Sequence, residues 1–86
     1  MYSLEIEEKV DRIFSKMKNK LRLEIIDKKI QQILENPQRF KPLRSNMHGL
    51  REVHIDKSFV LLYVIDEPTK TVRIVDFDHH DNVFRH

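Results

Sequence analysis

The 86 residues suffice for one domain with a modest core, since a chain of this length buries roughly 60 to 65% of its unfolded surface. With 40% hydrophobic and 35% charged residues the composition is globular rather than disordered, and the absence of cysteine excludes a disulfide framework, a thiolate zinc site and a Cys nucleophile. The net charge of +2 is too small to select a nucleic-acid partner. It is unevenly spread, however. Residues 1–45 carry eleven Lys and Arg against seven Asp and Glu, net +4, residues 46–86 carry five against seven, net −2, and all five histidines lie in the second half. A basic half suits a polyanion or a solvated helix surface. The first residues, MYSLEIEEK, hold no apolar h-region, and no apolar run approaches about 18 residues, so neither a signal peptide nor a membrane span is expected and the protein is expected in the cytoplasm.

Tyr2, Leu4 and Ile6 alternate with polar residues, which predicts a short first strand. Val10, Ile13, Phe14 and Met17 then fall at the spacing of one helical face. Acidic residues gather at the start of this helix and lysines at its end, as the helix dipole favours. Asn19 is a break before a second helix over Lys20–Glu35, striped by Leu23, Ile26, Ile30, Ile33 and Leu34. Asn36-Pro37 ends it, because the residue before proline is pushed out of the helical region. Gln38–Met47 has no period but mixes Arg39, Lys41 and Arg44 with Phe40 and Leu43. Gly49, the single glycine, sits where the backbone enters a strand, a place for a positive φ or a close approach.

The strand Leu50–Ile55 alternates, with Arg51, Val53 and Ile55 on one face and Leu50, Glu52 and His54 on the other. After the turn residues Asp56-Lys57-Ser58, Phe59–Ile65 is apolar throughout, the mark of a strand covered on both faces. A turn at Asp66–Lys70 leads to a third strand of this series, Thr71–Phe77, and a His-bearing tail closes the chain. The order β-α-α-β-β-β predicts a single α+β domain, two helices packed on a mostly antiparallel sheet.

The chemistry lies in the histidines. His54 is on the less apolar face of its strand, where an imidazole reaches solvent and can exchange protons near neutral pH. Asp76, Asp78, His79, His80 and Asp81 are potential metal ligands, but their spacing follows no His-x3-His or His-x-His scheme. A strand end delivering one histidine into a cleft is the better reading, and no metal or cofactor is expected. Phe84 lies four residues after His80, on the same face if the tail is helical, where it could stack on a base. Two histidines near an aromatic and several cations suit RNA cleavage by the RNA's own 2′-OH. That reaction needs a base, an acid and positive charge on the phosphate. His54 and His80 fit the proton roles; Lys41, Arg44, Arg51, Arg73 and Arg85 are candidates for the charge. Composition alone does not choose this over a binding module.

Pro42-Leu43, the segment Gly49-Leu50-Arg51-Glu52-Val53-His54-Ile55, the Leu61-Leu62-Tyr63 strand, and His80 with Phe84 together resemble the RelE/ParE toxin superfamily, most closely its YafQ-like branch. The resemblance covers the second half well; the first half matches in element order. It implies a RelE-like fold with two helices against a twisted antiparallel sheet. It also implies a type II toxin acting as a ribosome-dependent mRNA endoribonuclease and held inactive by a cognate antitoxin, in a heterotetramer or larger complex. His54, His80 and Phe84 match positions of the YafQ-like active site. Lys41 stands where that branch often has histidine, and Ser58-Phe59 where it usually has Asp-Trp. The basic residues RelE uses at the positions of Glu52 and His54, and its arginine at Val60, are absent here. Two alternatives stay open: a ParE-like inhibitor of DNA gyrase without nuclease chemistry, and an inactive member that only binds antitoxin.

Overall fold

The structure is a computed structural model, described over residues 1–43 and 49–83. Strand β1 (Ser3–Ile6) leads into helices α1 (Glu8–Lys16) and α2 (Lys20–Glu35), a single 3-10 turn (Pro37–Arg39), then strands β2 (Arg51–Ile55), β3 (Phe59–Asp66) and β4 (Thr71–His79), and a short helix α3 (His80–Val83). The four-stranded sheet has the order β1-β4-β3-β2. β1 runs parallel to β4; the β2–β3 and β3–β4 pairs are antiparallel. The predicted α+β class and element order hold, with α3 added at the end and β4 two residues longer than expected.

Local chemistry explains the boundaries. The Asn19 side chain accepts a hydrogen bond from the Arg22 N–H at 3.0 Å and caps α2. Pro37 opens the 3-10 turn, where its missing N–H costs nothing. Asp56 and Lys57 both take left-handed backbone (φ 51° and 62°), which makes the tight turn from β2 to β3. Gly49 is also left-handed, at φ 74°, a conformation glycine adopts without strain, and a Cβ there would meet nothing within 4 Å among the described residues.

β3 is covered on both faces, as its apolar run predicts. On one face Leu61 and Tyr63 join Val53, Ile55, Val72, Ile74 and Phe77 beneath Val10 of α1 and Ile26, Ile30, Ile33 and Leu34 of α2. On the other, Val60 and Leu62 pack with Val83 of α3, rimmed by Leu43, Leu50 and Val75. An extra residue in β4, opposite the Leu62–Tyr63 step, breaks the register and bends the sheet there.

Tyr63 is fully buried, and its hydroxyl donates to the Pro37 carbonyl at 2.6 Å. Burial pushes this phenol up to about 12, against a smaller downward pull from Arg51, so it remains a neutral donor. Arg51, its cross-strand partner, donates to the Phe40 carbonyl at 2.7 Å and reaches the Gln38 carbonyl at 3.4 Å. Together they clamp the segment after α2 onto the sheet. Tyr63→Phe leaves the Pro37 carbonyl without this donor and should destabilise the fold by about 1 to 3 kcal/mol, measured by urea unfolding.

Candidate active site

Cross-strand register builds a row on the sheet face opposite α1 and α2: His54 pairs with Val60, and Val60 with Asp78. β4 ends at His79, and the two adjacent histidines part there. His79 packs edge-on against Phe59, ring centroids 5.6 Å apart. His80 turns to the other side, at the start of α3. Its backbone N–H donates to the Ser58 carbonyl at 2.7 Å, tying α3 to the β2–β3 turn. The apolar contacts of Val83 with Val60 and Leu62 hold the helix down. The His54 and His80 rings consequently stack, centroids 5.9 Å apart and planes 27° from parallel. Both stay about half exposed, 57% and 47% for the side chains, so both are accessible to a bound ligand.

Glu52, two residues before His54 and on the same face, has a side chain only 10% exposed and places Oε1 3.9 Å from His54 Nε2. Its Oε2 is buried and has no hydrogen-bond partner among the described residues. The alternation of β2 already put Glu52 beside His54, but nothing in the sequence signalled its burial. A groove of about 320 Å³ opens next to this pair, lined by Lys29, Arg39, Phe40, Lys41, Glu52, Val53 and His54. Lys41 stands at its junction with β2, where its carbonyl accepts the Glu52 N–H at 3.0 Å. The sequence does not single out Lys29, and Arg39 stands out there only as part of a basic segment; the clamp on the post-α2 segment brings Arg39 beside Lys29 of α2.

The remaining candidates disperse. Arg51 does not join the histidines: strand alternation sends it to the other face, where it holds backbone carbonyls. Arg73 is exposed and shares the His54 face, but its register partner is Val64, two rows away, roughly 13 Å along the strands. Arg44, Phe84 and Arg85 lie outside the described residues. The acidic side chains of the tail are spent locally. The Asp76 carboxylate accepts the Phe77 N–H and lies 3.9 Å from Lys9. Asp78 accepts from the His79 N–H and the Asn82 amide. Among the described residues no three His, Asp or Glu side chains converge as a metal-ligand set, and no helix is long and apolar enough to cross a membrane.

The chain matches the family model of the ParE toxin of the type II toxin–antitoxin system parDE over residues 1–84. A Methanocaldococcus jannaschii protein designated RelE4, a candidate toxin, is 46% identical over 87 residues, spanning 99% of this chain and 93% of the relative. Among solved structures, the isolated Escherichia coli RelE toxin superposes with a TM-score of 0.78 at 22% identity, over 92% of this chain and 84% of that one. The Mycobacterium tuberculosis RelBE2 toxin–antitoxin complex gives 0.74 at 25% identity, over 92% and 98%. The fold is that of RelE, and with nearly its whole length matched, this chain belongs to the ParE toxin family of type II toxin–antitoxin systems, within the RelE/ParE superfamily.

Proposed function

We propose that this toxin is an mRNA endoribonuclease of the YafQ-like kind, cutting ribosome-bound mRNA in the cytoplasm and so arresting translation. The observation that carries this reading is the stacked pair of half-exposed imidazoles, His54 and His80, of which His54 lines a groove that also holds Lys29, Arg39 and Lys41. One imidazole takes the proton of the RNA 2′-OH as it attacks the adjacent phosphorus; the other gives a proton to the departing 5′ oxygen. Lys41 supplies positive charge as the phosphate gains negative charge. A cognate antitoxin is the expected partner, by analogy with the RelBE2 toxin–antitoxin complex, and a heterotetramer or larger assembly is the expected form. The family model's ParE description favours a second reading, gyrase inhibition by binding, in which neither histidine transfers a proton.

Attack by the 2′-OH dictates the product. Cleavage by the purified toxin on programmed ribosomes should leave a 2′,3′-cyclic phosphate and should continue in excess chelator. Loss of cleavage in chelator, with recovery on adding magnesium to ribosomes kept intact by polyamines, would contradict the two-histidine mechanism.

A further inference from the structure

We infer that the groove between α2 and the edge of β2 is a second subsite for the RNA strand, in which Lys29 and Arg39, beside Lys41 at the scissile phosphate, hold backbone phosphates of nucleotides next to the bond cut at His54 and His80. The inference rests on the proposed nuclease reading and adds the path of the strand away from the histidines. Charge on the two sides of the pair decides that path. Beyond His80, among the described residues, stand Asp76, Asp78 and Asp81, with Lys9 near the first of them. Beyond His54 stand three cations, none of them in an ion pair among the described residues, against the single, mostly buried carboxylate of Glu52. A polyanion engaged at the histidines is repelled on the first side and attracted on the second.

The groove is assembled for this. The Lys29 ammonium lies 5.8 Å and the Arg39 guanidinium 5.6 Å from the centre of the Phe40 ring. Attraction to the ring face offsets the repulsion between the two cations and keeps them together at the lining. The segment bearing Arg39, Phe40 and Lys41 is held by the Tyr63 and Arg51 bonds to its carbonyls and by the Glu52 N–H on Lys41. At about 320 Å³ the groove is at the small end of ligand pockets, which span roughly 300 to 1,000 Å³. That is room for a short stretch of sugar–phosphate backbone rather than for a folded partner.

The test is binding of a 2′-O-methyl octaribonucleotide, which lacks the attacking hydroxyl, to the full chain by fluorescence anisotropy between 50 and 200 mM salt. Each phosphate contact on a single strand contributes about 0.7 to the slope of log K against log salt. Lys29→Gln/Arg39→Gln should therefore flatten the slope by about 1.4, and the affinity loss across this salt range should shrink by roughly sevenfold. Lys29→Arg/Arg39→Lys, which keeps both charges, should keep the parent slope, and circular dichroism should show both variants folded. An unchanged slope in the Gln variant overturns the inference, as does a parent chain that fails to bind the oligonucleotide at 50 mM salt. So does a Gln variant that binds RNA normally but loses affinity for an acidic antitoxin peptide, since the groove then serves that partner. If the slope changes as expected while reporter mRNA stays uncut, the subsite stands and the nuclease reading falls.

Discussion

His54→Gln and His80→Gln should each slow mRNA cleavage by about 10² to 10⁴, the usual scale for loss of a general acid or base. Glutamine keeps much of the size and some hydrogen bonding of the imidazole and removes its proton transfer near neutral pH. The two rings are in stacking contact, so the losses should not add. Once one proton transfer is gone, removing the other costs less, and the double variant should fall little further than the worse single one. Both side chains are about half exposed, so stability should barely move, within about 0.5 kcal/mol. Cleavage on programmed ribosomes and urea unfolding, run on the same preparations, check both halves of this expectation. Equal activity in parent and single variants would remove the histidines from the mechanism.

Leu61→Ala should be among the most damaging of the simple core truncations. Leu61 is fully buried at the centre of β3, under the helices. A Leu→Ala change in such a site costs about 2 to 5 kcal/mol, against a total stability of about 4 to 13 kcal/mol for a domain of this length. The melting temperature should fall by roughly 10 to 30 °C. Val83→Ala makes the informative contrast. Val83 lies in the smaller cluster on the opposite face, where it anchors α3 to Val60 and Leu62. Its truncation loosens the helix that carries His80, so cleavage should drop by a larger factor than the melting temperature suggests. Differential scanning calorimetry beside single-turnover cleavage separates the two cases, and a Leu61→Ala protein melting with the parent would refute the layered core described here.

The elements visible from sequence are those whose pattern leaves one structural outcome. Phe59–Ile65 has no polar residue to present to water, and β3 is covered on both faces. Asn19 and Asn36-Pro37 bracket a stripe of one period, and α2 runs between them. In Arg51–Ile55 the alternation places His54 and Arg51 on opposite faces, and the structure keeps them there. What the sequence could not supply depends on contacts between distant residues. The parting of His79 and His80 follows from β4 ending where Ser58 offers a carbonyl to the His80 N–H. The gathering of Lys29 and Arg39 follows from a buried tyrosine and an arginine bonding to carbonyls at least eleven residues away. No periodicity encodes either. The burial of Glu52 belongs to the same class, because alternation assigns a side chain to a face without saying what covers it.

Primer extension on a reporter mRNA, in cells expressing either the parent chain or the His54→Gln/His80→Gln double variant, tests the central claim most directly. The account predicts discrete new 5′ ends within the reading frame for the parent, together with growth arrest, and neither for the double variant at equal protein level. Arrest by the double variant as strong as by the parent, with the reporter intact in both, would contradict nuclease action and make binding to gyrase the better explanation.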